Sequence, residues 1–246
     1  LQLCACVTSP YQQGSYPIFL ENSTIGTAQF KHRILYIKHD DKKLAVDSND
    51  ANKHRQALSI FIEGDGTPWY RENYVKSDPS PHNLVLFDAM QHVKGDKLYI
   101  GRPCYFQTND PNCHYRYWTS HRYSPEVITS MQSVLSEYIK DYEHVVLVGH
   151  SGGGTIATLL ACEQATSNIK TTTLITLSAN LDTDRWTDHH GWSRMAGSLN
   201  PSRFLKECPR LTQYHYVGRE DINVPYALNS NFFKQHGVAP IIYEDA

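Results

Sequence analysis

Ser151 lies between glycines in Gly149-His150-Ser151-Gly152-Gly153, a Gly-x-Ser-x-Gly spacing that suits a nucleophile. A tight strand-to-helix turn leaves no room for bulk at the flanking positions, so small residues there are a steric requirement. Such a turn lifts the serine hydroxyl above the sheet edge, with the positive end of a helix behind it. The chemistry this permits is attack of Oγ on a carbonyl. A glycine-rich turn carrying an incidental serine remains the alternative. A phosphate-cradling loop is excluded, because it would need Gly-x-x-x-x-Gly-Lys-Ser/Thr and no lysine is here. His150 adjoins Ser151, but neighbouring side chains on such a turn diverge, so it reads as a packing or pocket-lining residue rather than a base.

Six cysteines offer a second chemistry. Cys104 and Cys113 bracket a polar loop, and in an exported chain such a pair forms a disulfide; free thiols or metal ligation are the alternatives. Leu3-Cys4-Ala5-Cys6 resembles a bacterial lipobox, which makes residues 1–16 the end of a signal peptide plus a tether, with Cys6 lipidated, and leaves 17–246 as one domain. Cys162 and Cys208 read as buried thiols. Asp188-His189-His190 lacks a second cluster of ligands, so residues 186–192 read as a loop or cap over the pocket, and no metal or cofactor is implied. The formal net charge of −2 gives no field that favours nucleic acid, and no apolar run reaches the 18 or more residues of a spanning helix.

The elements that must position Ser151 alternate along the chain. Residues 33–38, 57–63, 97–101, 144–148, 173–178, 213–217 and 239–243 read as strands. Residues 84–91, 155–163 and 225–236 read as helices, and so does the stretch from Ser124 to about Ile139. That last helix has Ser124 as N-cap, Pro125 at its first position, and apolar residues at Val127, Met131, Val134 and Leu135. Residues 40–43 read as a turn. The alternation predicts an α/β fold, a mostly parallel central sheet with helices on both faces.

With these segments the chain resembles the α/β-hydrolase superfamily over nearly everything after about residue 30. It is most similar there to uncharacterised bacterial hydrolase-like lipoproteins, in Phe61-Ile62-Glu63-Gly64-Asp65-Gly66, Arg102-Pro103-Cys104, Tyr117-Trp118-Thr119, the serine turn, and Asn180-Leu181-Asp182. The resemblance implies an oxyanion hole from the backbone N–H of Gly152 and of Asp65 or Gly66. Glu63 stands where many members have histidine. It also implies an acid after a late strand, where Gly218-Arg219-Glu220-Asp221-Ile222-Asn223-Val224-Pro225 selects Asp221, with Asp182 as the alternative. In this superfamily the histidine comes last. Of the 13 histidines only His236 follows Asp221, and a helix over 225–236 would carry it roughly 15 Å towards the opposite edge. The expectation is therefore a C-terminally truncated domain whose base lies beyond Ala246.

The function so implied is hydrolysis of a small-molecule carboxylic ester, or related acyl transfer, by a Ser-His-Asp triad at the cell envelope. The membrane is reached through an N-terminal lipid anchor. The alternative is a non-catalytic envelope lipoprotein that uses a hydrolase fold as a binding scaffold.

Overall fold

The computed structural model describes residues 21–38, 55–71, 74–165, 169–204 and 211–244. Cys4, Cys6, the tether, the turn at 40–43 and Cys208 lie outside them. In chain order the strands are β1 (Glu21–Gly26), β2 (Lys31–Ile37), β3 (Arg55–Ile62), β4 (Trp69–Tyr70), β5 (Tyr74–Val75), β6 (Asp96–Ile100), β7 (Tyr142–His150), β8 (Thr171–Leu177), β9 (Leu211–Gly218) and β10 (Ile241–Tyr243). The helices are α1 (Val85–His92), α2 (Pro125–Tyr138), α3 (Gly152–Ala165), α4 (Thr183–His189), α5 (Pro201–Phe204) and α6 (Ser230–His236). One sheet runs β1-β2-β6-β3-β7-β8-β9-β10, while β4 and β5 pair only with each other. The β1–β2 and β2–β6 pairs are antiparallel and the rest of the sheet is parallel.

Side-chain alternation explains why both faces are covered. From β3, Leu58, Ile60 and Ile62 join Leu98, Leu147 and Leu174 in a core with the apolar stripes of α2 and α3. Phe61 points the other way and packs with Leu35, Tyr99 and the α1 residues Leu86, Phe87 and Met90. On the α3 side, α6 closes the sheet's end by setting Phe232 and Phe233 on Val217. Ser124 caps α2 as expected, accepting from Val127 N–H, with Pro125 at the first helical position.

The sequence misplaces three boundaries. The stretch read as one helix over 225–236 begins as a 3-10 turn, Tyr226–Asn229, before α6, and Gly237 at φ 61° ends it. The stretch read as a cap loop at 186–192 begins inside α4, whose N-cap is Asp182. The helix read from residue 155 starts directly at Gly152. Cys104 and Cys113 are bridged, with Cα atoms 5.4 Å apart. The loop they close reaches β2 through Asp110, whose carboxylate accepts the Lys31 N–H at 2.6 Å. Among the described residues no helix is long and apolar enough to cross a membrane.

Candidate active site

β7 delivers Ser151 to the carboxyl edge of the sheet. Ser151 sits at φ 49°, a left-handed conformation that non-glycine residues seldom adopt and that surrounding structure must enforce. Its N–H donates to the Leu177 carbonyl at 2.8 Å, and its own carbonyl accepts from Gly154 and Thr155 as α3 begins. The helix can start this close only because Gly153 lacks a side chain: a Cβ there would overlap the carbonyl oxygens of Ile62 and Glu63. Among the described residues no hydrogen bond occupies Ser151 Oγ.

The loop after β3 lies against this turn. A Cβ on Gly64 would be 3.3 Å from both Ser151 Cβ and His150 Nδ1, and a Cβ on Gly152 would collide with the Asp65 carboxylate. Gly66, at φ 64°, turns away and packs on the backbone of residues 79–81. Of the two oxyanion candidates in this loop, Asp65 is thus the one beside Gly152. Glu63 is buried and serves α1 at a distance, accepting the N–H groups of Leu86 at 2.7 Å and Phe87 at 3.0 Å. Burial dominates its titration and pushes the carboxyl up to about 7, against the lowering effect of those N–H groups.

Asp221 follows β9 at the same edge. Its Oδ1 accepts the N–H groups of Asn223 at 2.9 Å and Val224 at 2.8 Å, which folds the loop around the carboxylate. A mostly apolar cleft of about 300 Å³ opens at the carboxyl ends of β8, β9 and β10, lined by Leu177, Ser178, Tyr216, Val217, Gly218 and Tyr243. Neither Ser151 nor Asp221 lines it, but each adjoins a residue that does or the strand end that carries it. Asp182, the alternative acid, is buried and occupied as a cap: its Oδ1 accepts from Arg185 N–H and Asn200 Nδ2. Among the described residues no histidine is hydrogen-bonded to Ser151 or Asp221. His150 is half-buried, and burial lowers its pKa although the charges of Asp221 and Asp65 favour its cation. His190 reaches the acid loop, with Nε2 2.8 Å from the Asn223 carbonyl. His236 stacks on Phe232 on the α3 side, 4.4 Å between ring centres.

The PGAP1-like alpha/beta domain family matches residues 117–202, a stretch that includes the serine turn and stops before Asp221. No curated protein sequence matches the chain. Among solved structures, a lipase/esterase from Lactobacillus plantarum superposes with TM-score 0.54 at 13% identity, over 90% of this chain and 89% of that one. An alpha-beta serine hydrolase homologue from Coxiella burnetii gives 0.54 at 14%, over 94% and 90%. Est1E from Butyrivibrio proteoclasticus with bound ferulic acid gives 0.57 at 13%, over 90% and 88%. This is an α/β-hydrolase fold.

In this α/β-hydrolase fold the sequence-predicted Ser151, Gly152 and Asp65 come together, with Asp221 after β9 at the same edge, near enough for its charge to act on His150. His236, which the sequence reading already set away from the site, bonds neither Ser151 nor Asp221. What sequence reasoning missed is the set of side chains that holds Asp65: Arg102 to Oδ1, then Arg122 at 2.9 Å and Tyr123 at 2.7 Å to Oδ2. Burial pushes the Asp65 carboxyl upward, but the two guanidinium charges and the bonds from Arg102 and Tyr123 override it and hold the group well below the usual carboxylate range. These partners are 37, 57 and 58 residues away in sequence, so no spacing rule could pair them. The one available signal was Arg102, set just after the apolar strand residues Leu98, Tyr99 and Ile100 and before Pro103.

Proposed function

We propose that the protein is a serine hydrolase of carboxylic esters or related acyl compounds, with Ser151 as nucleophile. The observation that carries this reading is the local geometry of Ser151: a left-handed serine at the head of α3, packed against the loop after β3, its hydroxyl unbonded among the described residues. In the proposed reaction Oγ adds to the acyl carbonyl and gives up its proton to an imidazole. The N–H groups of Gly152 and Asp65 hold the oxyanion; its collapse breaks the ester C–O bond, and the leaving alcohol takes the imidazolium proton. Water, deprotonated by the same imidazole, then attacks the acyl-enzyme, and Ser151 Oγ regains the proton as the acid leaves. Asp221 orients the imidazole and stabilises its cation. β10 runs parallel to β9 and ends beside Gly218, at the edge that carries Ser151 and Asp221. The esterases of like fold support ester substrates, at the level of fold alone. We place the protein at the cell envelope, lipid-anchored at Cys6; the bridged Cys104–Cys113 pair suits an oxidising compartment.

A second reading, a binding protein on a hydrolase scaffold, is favoured by one observation: no described histidine bonds Ser151 or Asp221. Hydrolysis of chromogenic esters by the full-length protein separates the two. Turnover that falls by about 10⁴-fold or more in Ser151→Ala supports the enzyme. Tight ester binding with no turnover, or turnover indifferent to the substitution, supports the scaffold.

A further inference from the structure

Asp65 is an unusual neighbour for an oxyanion site. Its carboxylate lies against the α-carbon of Gly152, at the N-terminus of α3. A carboxylate there opposes negative charge developing nearby, yet this one is held by two cations. Arg102 Nη1 and Arg122 Nη1 each bond one of its oxygens, and Tyr123 Oη donates to the second. Tyr105 Oη donates to the main-chain carbonyl of Asp65 at 3.0 Å.

The donors are themselves fixed. Arg102 Nη2 donates to the Arg122 carbonyl at 3.2 Å and Arg122 Nε to the Thr119 carbonyl at 2.8 Å. The Arg102 guanidinium lies 4.8 Å from the centre of the Tyr105 ring and 5.6 Å from that of Tyr123. Arg102, Arg122, Tyr105 and Tyr123 are all at least nine-tenths buried. The cluster adds directed polar bonds among three segments that otherwise meet through apolar packing: the loop after β3, the loop after β6 and the residues before α2. Interior charge clusters contribute little net stability, because desolvation offsets their attraction. What this one supplies is a single geometry and, with two guanidiniums to one carboxylate, a positive balance beside Ser151.

We infer that Asp65, Arg102, Arg122 and Tyr123 form a clamp that positions the main-chain N–H of Asp65 beside that of Gly152 and reverses the sign of the charge at the oxyanion site. The clamp residues are positioning residues: they act through the backbone and the local field, not by touching substrate. The inference rests on Ser151 being the nucleophile.

The test uses the full-length protein and three variants. Tyr123→Phe removes one bond to Asp65 and no charge, Arg102→Lys keeps the charge and loses the planar fork, and Arg102→Gln loses both. Loss of one oxyanion donor typically costs about 10²–10³ in kcat. The expected losses are therefore about tenfold for Tyr123→Phe and about 10² for Arg102→Gln, with Arg102→Lys between them and KM nearly unchanged. A trifluoromethyl ketone, whose serine adduct carries the oxyanion, should lose affinity in step with kcat, and amide exchange over residues 62–67 should accelerate in each variant. A folded variant with unchanged kcat overturns the clamp. So does one in which KM rises while ketone affinity holds. If Arg102→Gln does not fold, the other two variants carry the same test. If the unaltered protein neither turns over esters nor reacts at Ser151, it is the nucleophile assignment that fails. Exchange over 62–67 then still decides whether the cluster holds the loop: acceleration in Tyr123→Phe supports that, and unchanged exchange contradicts it.

Discussion

The serine half and the acid half of the catalytic edge are built by different physics. Around Ser151, backbone meets backbone: Gly153 lies on the carbonyls of β3, Gly64 on the serine itself, and Asp65 is locked by buried cations. Around Asp221 the loop is held mostly by hydrogen bonds: two main-chain N–H groups to one carboxylate oxygen, and Trp186 and His190 on the Asn223 carbonyl, with Val224 as its one residue in the main core. Ile222 is 86% exposed, and β10 has only three residues, with Ile241 and Ile242 more than a third exposed. The surface pair Arg219–Glu244, at 2.7 Å, ties the end of β9 to the residue after β10, and exposed pairs of this kind contribute little because solvent screens them. Excluded volume and buried charge thus fix Ser151, the proposed nucleophile, while hydrogen bonds do most of the fixing around Asp221, the proposed acid. Backbone-crowding substitutions in the first half should cost stability as well as activity. Replacing Asp221 in the second should cost activity with little loss of stability.

The largest effect should come from Asp221→Asn. Asparagine keeps an oxygen for the N–H groups of Asn223 and Val224, so the thermal midpoint should hardly move, whereas kcat should fall by about 10⁴ because the imidazole loses its orienting charge. A large drop in midpoint would show that the acid loop is structurally coupled after all. Next is Gly153→Ala, where the added methyl meets main-chain oxygens that cannot give way. Its expected cost is at the upper end of the roughly 1–3 kcal/mol of overpacked sites, read by urea denaturation.

Glu63→Gln sharpens the same contrast through pH. Burial raises this carboxyl from 4.5 to about 7. Between those values the folded protein keeps a proton that the unfolded chain has lost, so stability falls as pH rises through that window and stays lower above it. Glutamine still offers an oxygen to Leu86 and Phe87. It should stabilise the protein at pH 8 by about 2–3 kcal/mol and leave it unchanged at pH 4. The smallest effect should be that of Ile222→Ala, within about 0.5 kcal/mol, as expected of an exposed side chain in the lightly held half.

How much of this was legible in the sequence divides along the same line. The serine turn could be read because its constraints are local: an apolar strand, small residues and a helix start lie within one short segment. Asp221 could be read from a loop pattern once the resemblance was in hand. The Asp65 cluster could not, since its members come from three loops and only the closed sheet brings them together. The Glu63 cap on α1 was hidden for the same reason: the carboxylate lies 23 residues from the first N–H it satisfies. The late start of α6 was missed because Pro225 and the residues after it suit a 3-10 turn as well as a helix. The buried Asp182 was weighed as an acid although its oxygen caps α4, a role visible only once α4 is placed.

The central claim is that Ser151 is an activated nucleophile, and covalent mapping tests it most directly. The full-length protein is treated with a fluorophosphonate, digested, and each adduct located by mass spectrometry. The account predicts one rapid adduct, on Ser151 Oγ, absent from Ser151→Ala. No adduct under conditions that label a known serine esterase, or equal labelling of the protein and its Ser151→Ala variant, would contradict it.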